Sequence, residues 1–333
     1  MILVIGASGF IGTYLVKKLV DSGHEVVATG RSERFAGHYG RMGVRYIRFD
    51  LGRKEDIDLL PTDGIEAVVL LAAMLPANMP GDEDAQKYID VNITGTLNIL
   101  EYCRRNGIRK IISATSYADV SGKWSADVRI DDDTLRDYSL SGDHAVYVIS
   151  KNAASDLIEY YNNTYGMQGA IFRFPPVYGV GPHSSLYNNG VLRKSGFQIF
   201  VDRAVAGEDI EIYGQDTYRD IVYIDDVVDA FCLALESDNA KGIYNIMSGE
   251  SSSLEQQALD VIDVFTPAGA AKKSKVIRRP DIPNCSASYS FSIEKARRDF
   301  GYSPKFVPFH KLVEAYKAEL DNPRFPDLFP QEK

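Results

Sequence analysis

The 333-residue sequence is poor in cysteine, histidine and tryptophan, and it has no basic cluster and no long apolar run. Its three cysteines, Cys103, Cys232 and Cys285, lie far apart, are odd in number and have no CxxC or zinc-ligand spacing. That points away from a disulfide framework and towards reduced thiols, as in an intracellular protein. His24, His38, His144, His183 and His310 are equally scattered, so no metal site is expected. The longest apolar stretch, residues 67–77, is too short to span a bilayer. Residue 1 leads straight into an apolar strand pattern, unlike the basic and apolar regions of a signal peptide. A soluble, cytoplasmic protein is expected. The formal net charge is -9, with Lys and Arg dispersed along the chain. Such a surface gives no electrostatic footprint for nucleic acid or an anionic membrane.

What is present is an ordinary globular composition, 45% hydrophobic and 25% charged, long enough for one large core and a smaller lobe. Residues 1–5 form a continuous apolar run suited to a strand buried on both faces. A glycine-rich turn follows, then Phe10, Ile11, Tyr14, Leu15 and Leu19 recur at helical spacing, with Gly23 placed as a C-terminal cap. Residues 24–29 read as a second strand, completing a parallel βαβ unit. Strands are predicted at 66–73, 109–114 and 169–174, and helices at 88–105 and 147–165. This alternation over about 175 residues implies an α/β fold built on a doubly wound parallel sheet. After Pro175-Pro176 it stops. Helices are predicted there at 197–206, at 254–265 (with Ser252 and Glu255 spaced as a capping box) and within 305–320. An extended tail is expected from residue 322 onward. The simplest division is a dinucleotide-binding domain over 1–175 and a smaller C-terminal α/β lobe over 176–333, with 219–246 a segment that returns to the first domain.

The turn Gly6-Ala7-Ser8-Gly9-Phe10-Ile11-Gly12 joins the first strand to the first helix. Glycines there allow a tight turn and a close approach of backbone to a pyrophosphate. The helix N-terminus offers free N–H groups and partial positive charge to phosphates. The end of the second strand bears on the cofactor's ribose, where an acidic residue binds the hydroxyls and an arginine accepts a 2′-phosphate. Here the sequence is Gly30-Arg31, which favours NADP(H) over NAD(H) if Arg31 is more than a solvated loop cation.

Tyr147 and Lys151 sit at i and i+4 on one predicted helix face. A free tyrosine has a pKa of about 10 and is a poor base at neutral pH, but a neighbouring ammonium stabilises its phenolate. The preceding strand ends Ser113-Ala114-Thr115-Ser116, and a hydroxyl at the carboxyl edge of a parallel strand faces the ligand crevice.

Gly6/Gly9/Gly12, Phe49-Asp50-Leu51, Leu71-Ala72-Ala73, Asn92 in V-N-I-T-G-T, the serine strand, Tyr147/Lys151, residues 173–179 and R-D-I-V-Y-I-D-D from Arg219 occur in one order along most of the chain. In that order they resemble the extended short-chain dehydrogenase/reductase family, in its NAD-dependent epimerase/dehydratase branch. The resemblance implies a Rossmann sheet, Tyr147 as acid/base, and Lys151 both binding the nicotinamide ribose and lowering the tyrosine pKa. It implies Ser116 on the reacting oxygen, with Gly6, Ser8, Gly9, Phe10, Ile11, Gly12 and Arg31 around the phosphates and adenosine. It further implies Asp50 and Leu51 at the adenine, Leu71, Ala72 and Ala73 lining the cofactor, and Pro175 near the nicotinamide. Arg219 and Arg279 (or Arg278) would hold a substrate diphosphate. The chain departs from the pattern in several places. The loop after Ser116 is one residue longer than usual, so Thr115 competes for the catalytic hydroxyl role. Pro176 replaces an asparagine common in nucleotide-sugar enzymes. Ser116 is followed by Tyr117-Ala118 and not by the Asp-Glu pair of dehydratases.

The resemblance therefore implies an enzyme acting on a small-molecule nucleotide sugar. Epimerisation leads, and a keto-sugar reductase or sugar dehydrogenase follows. A non-catalytic cofactor sensor would have no need of the Tyr147/Lys151 dyad. It also implies a homodimer through the helices beginning near Tyr88 and Tyr147, with Ile93, Leu97, Leu100, Ala153, Leu157 and Ile158 offering apolar faces.

Overall fold

The computed structural model describes all residues except 77–83, 143, 182–184, 189–190, 284–286 and 330–333, with backbone alone for 185–188; Cys285 and His183 lie outside it. Seven parallel strands form one sheet in the spatial order Gly242–Asn245, Gln168–Phe174, Lys110–Ser116, Ala67–Leu70, Ile2–Ile5, Val26–Gly30, Arg45–Arg48. The first strand is fully apolar because both faces of the sheet are covered. Ile2 and Val4 join one buried cluster, while Leu3 and Ile5 join the other. Strand order reverses beside this strand, so the crevice at its carboxyl end is where an open α/β sheet binds ligands.

The helices follow the predicted periodicity with local exceptions. Helix Phe10–Asp21 buries Tyr14, Leu15, Val16 and Leu19. The helix expected at 88–105 begins at Ala85 and contains a π-helical turn, Ile89–Thr94, before Gly95–Arg105. Helix Ala145–Thr164 carries Tyr147 and Lys151. In helix Leu254–Phe265 the cap is Ser253, which accepts from the Gln256 N–H, one residue on from the expected Ser252 box. The I-V-Y-I-D-D run divides into a short strand, Val222–Tyr223, and the opening of helix Ile224–Glu236. That helix packs on Phe10–Asp21, and the strand Gly242–Asn245 completes the main sheet.

The remaining C-terminal elements form small two-stranded ladders and the helices Gly196–Ala206, Leu254–Phe265, Glu294–Phe300 and Phe309–Asp321. Residues 322–329 correct the expectation of an extended tail, because they fold back onto the first lobe. Phe325, Leu328 and Phe329 are buried, and the Phe325 ring meets Tyr14 at 4.8 Å. Arg324 binds the buried Glu319, which also accepts from the hydroxyls of Tyr14 and Tyr223. Burial of three aromatic or aliphatic side chains outweighs the entropy of a free tail. Among the described residues no helix is long and apolar enough to cross a membrane.

Candidate active site

The turn after the first strand has the tightness its glycines require. Gly6 has φ +93°, and a Cβ there would lie 2.4 Å from the backbone nitrogen of Ala72. A Cβ on Gly12 would lie 2.3 Å from the Gly6 carbonyl oxygen. Both backbone segments are thereby drawn to the mouth of helix Phe10–Asp21, whose cap, Gly9, offers no side-chain acceptor to its first N–H groups. An open cradle of donors without a side chain in the way fits a dinucleotide pyrophosphate. Leu71 and Ala72 donate their N–H groups to the Ile5 carbonyl, which brings residues 71–73 alongside the turn. Leu51 is buried, and Asp50 uses one carboxylate oxygen to accept from the Gly52 N–H.

The end of the second strand is distinctive. A Cβ on Gly30 would lie 2.2 Å from Ser8 Oγ and 2.8 Å from the Tyr46 hydroxyl oxygen. Tyr46 donates to the Ser32 carbonyl and stacks on Tyr39. Arg31 is exposed and its guanidinium has no ion-pair or hydrogen-bond partner among the described residues, and the same holds for Arg48, the strand neighbour of Gly30.

At the other end of the crevice, the Ser116 hydroxyl lies near the Tyr147 phenol and favours its ionised form, with no direct hydrogen bond between them among the described residues. Ser116 Oγ accepts from the Ala118 N–H at 3.2 Å, which leaves its own hydrogen free to donate. Thr115, the rival, is turned into the sheet, its hydroxyl buried and unpartnered among the described residues. Burial pushes the Tyr147 phenol well above its ordinary range and lowers the Lys151 ammonium to about 8. Lys151 is 8% exposed, and no hydrogen bond or ion pair engages its ammonium among the described residues. Each group is thus disfavoured in its charged form, and each would gain from the other's charge, whereas a cationic ring would favour the phenolate alone.

Several side chains at the site carry little signal in the sequence. Asn92 stands there only as one letter of a motif. In the structure it accepts from the Met74 N–H at 2.8 Å and donates to the Met74 carbonyl and to Ser150 Oγ. It thereby ties the segment ending at Met74 to the helix of Tyr147, and it projects from the π-helical turn, a distortion that often marks function. The Tyr88 ring lies 6.2 Å from that of Tyr147. Tyr117, Trp124 and Tyr289 form a triangle of rings with centroids 4.9–5.1 Å apart. Arg219 stands beside Tyr117, Tyr178 and Tyr289, and its Nε is buried without a partner among the described residues. Neither Asp220 nor Asp225 neutralises it: Asp220 accepts from Ser248, and Asp225 from Arg324. Arg279 is paired with Glu211 at 2.9 Å, and Arg278 with Asp216 at 3.4 Å.

Residues 2–246 match the family described as NAD dependent epimerase/dehydratase. The chain is 30% identical over 268 residues to a UDP-glucose 4-epimerase of Mycolicibacterium smegmatis, covering 76% of this chain and 79% of the relative. It is 26% identical over 332 residues to a dTDP-4-dehydro-6-deoxyglucose reductase of Escherichia coli, covering 96% and 98%. The crystal structure of Thermus thermophilus UDP-glucose 4-epimerase in complex with NAD superimposes with a TM-score of 0.74 at 26% identity, covering 97% and 99% of the two chains.

Proposed function

Because the chain belongs to the NAD-dependent epimerase/dehydratase family, we propose that it is a nucleotide-sugar epimerase using a nicotinamide dinucleotide, with NADP(H) preferred. The observation that carries this reading is that Ser116, at the carboxyl edge of the sheet, lies near the Tyr147 phenol, with the buried Lys151 one helical turn further along the same helix.

When bound, the nicotinamide supplies a hydride acceptor that later returns the hydride to the opposite face of the same sugar carbon. Tyr147 removes the hydroxyl proton and gives it back, Ser116 holds the reacting oxygen by hydrogen bonding, and Lys151 stabilises the phenolate. Bringing a phenol from its ordinary value of about 10 to neutrality takes roughly three pH units, about 4 kcal/mol, and the burial of Tyr147 adds to what Lys151 and the bound cation would have to supply. Arg219, whose Nε is buried without a partner among the described residues, would take a substrate diphosphate oxygen. Arg279 would have to share itself between that diphosphate and Glu211. The preference for NADP(H) rests on the free Arg31 and on the filled space above Gly30, which excludes an acidic side chain. Dimerisation through helices Gly95–Arg105 and Ala145–Thr164 is part of the proposal. Leu97 is exposed and Ile93, Ala153 and Leu157 are partly so, whereas Leu100 and Ile158 are taken up by the protomer's own core.

The decisive measurement supplies UDP-glucose, UDP-glucuronic acid or dTDP-glucose with catalytic cofactor and follows product together with nicotinamide absorbance. Product in large excess over cofactor without net absorbance change is expected. One oxidised cofactor reduced per product would instead select a sugar dehydrogenase, and NADPH oxidised one-for-one with a keto sugar would select a keto-sugar reductase, the reading favoured by Arg31 and by the Escherichia coli relative.

A further inference from the structure

A charged network lies beneath the loop that carries Ser116. Arg173 is 0% exposed and Asp119 1%. The guanidinium donates to the carboxylate three times, Nε at 2.8 and 3.1 Å and Nη2 at 2.9 Å, and its Nη1 donates to Asn245 Oδ1 at 2.8 Å. Asn245, also fully buried, donates through Nδ2 to the carbonyls of Ile130 and Ser292, and its own N–H is accepted by Asp132.

The positions of these residues are informative. Arg173 is the strand partner of Thr115, the residue before Ser116, while its guanidinium grips Asp119, three residues after Ser116. One residue therefore holds the loop on both sides of that hydroxyl. Asn245 is the strand partner of Arg173 on its other edge. Through Ser292 the circuit reaches the segment bearing Tyr289, whose ring closes on Tyr117, the residue after Ser116. The 3-10 segment Tyr117–Lys123 needs such a hold, since it breaks helical geometry at Val120.

Stability alone does not explain the network. A buried ion pair is commonly replaceable by apolar residues of similar size without loss, because desolvation offsets the Coulomb gain. What it gives in return is fixed geometry, since a bidentate fork tolerates little displacement.

We propose that Arg173, acting through Asp119, is a positioning residue that sets the Ser116 hydroxyl against Tyr147; this rests on the reading of Ser116 as the group that binds the reacting oxygen. The test is a double-mutant cycle assayed with whichever of UDP-glucose, UDP-glucuronic acid and dTDP-glucose the unmodified enzyme turns over fastest. The paired variant Asp119→Leu/Arg173→Met removes both charges together. It should lower kcat by about 10- to 100-fold, the cost of a displaced catalytic group, with KM and cofactor Kd within about threefold. In a Ser116→Ala background the same pair should cost less than about threefold, because nothing is left to position. A crystal structure of the paired variant should show Ser116 Oγ withdrawn from Tyr147. An equal loss in both backgrounds, or an undisplaced Ser116, overturns the proposal and leaves the role of Ser116 standing. Near-normal turnover of Ser116→Ala alone overturns the underlying reading and the proposal with it. If the paired variant does not fold, Arg173→Lys, which keeps the cation and loses the fork, is carried through the same cycle, where the same outcomes support or overturn the proposal.

Discussion

Ser8 and Tyr46 meet over Gly30. The serine comes from the phosphate turn and the tyrosine from the third strand, and their hydroxyls occupy the space into which any side chain at the end of the second strand would project. On the proposed reading, cofactor choice would depend on three segments of chain. Arg31→Ala should weaken NADPH binding by at least about tenfold while changing NADH little, as loss of a charged contact of about 1.5–3 kcal/mol requires. Gly30→Asp should weaken both cofactors, because its Cβ strikes Ser8, and should not convert the protein to NAD preference. Fluorescence titration of the cofactor-free protein measures all of these. Tighter NADH binding by the unmodified protein would reject the assignment.

For Tyr147, replacement by phenylalanine removes the proton-transferring oxygen and leaves the ring beside Tyr88 in place. Turnover should fall by about 10²- to 10⁴-fold, with cofactor Kd within a small factor. Steady-state rates beside equilibrium titration separate the two effects, and near-wild-type turnover would remove Tyr147 from the chemistry.

Lys151→Met should divide stability from function. The buried ammonium is lowered to about 8 in the folded protein, so below that pH the fold carries the full burden of a desolvated charge. Without cofactor, the methionine variant should melt above the wild type at pH 7. The gap should close as pH rises from about 8 towards the ordinary lysine range, where the wild-type side chain is neutral on folding. With cofactor the variant should bind and turn over poorly. Calorimetry across pH reads the first effect, and titration with kinetics the second.

Asp132 gives a sign test at the acid end. Burial raises its carboxyl to about 6 although it accepts the Asn245 N–H. A raised carboxyl destabilises the fold above its folded pKa, and protonation relieves that cost as pH falls. Asp132→Asn keeps an acceptor and removes the charge. It should be more stable than wild type above about pH 6, with the advantage fading between pH 6 and about 4. An advantage that grew on acidification would contradict the sign.

Phe325→Ala should cost about 3 kcal/mol in chemical denaturation, as expected for removing a buried ring, since Phe325 packs on Tyr14, His38 and Phe329. A free tail would give no effect.

The features legible in the sequence are those that depend on local spacing. Gly6, Gly9 and Gly12 mark a turn whatever surrounds them, and Tyr147 with Lys151 share a helix face by their four-residue interval. The alternation of strand and helix likewise implies the parallel sheet. Contacts between distant segments leave no such trace. Nothing near Gly30 announces that Tyr46 leans over it, and nothing near Ser116 announces that Arg173, 54 residues beyond Asp119, holds its loop. Residues 322–329 suggest a free tail because proline and polar residues dominate their composition, while three spaced apolar side chains determine their fate. The cap of helix Leu254–Phe265 is displaced by one residue from its expected place for a simpler reason: three consecutive serines offer the same acceptor.

The return of residues 322–329 onto the first helix has a bearing on how the protein is made. Tyr14 and His38 leave the ribosome long before Phe325, the residue whose ring covers them. The seventh strand and the helix Ile224–Glu236, which flank the same half, also arrive late. The sheet's early strands must therefore wait, with apolar surface uncovered, until Phe325 has been made. Folding that begins at the N-terminus cannot finish there, and the nascent chain is at its most aggregation-prone during that interval.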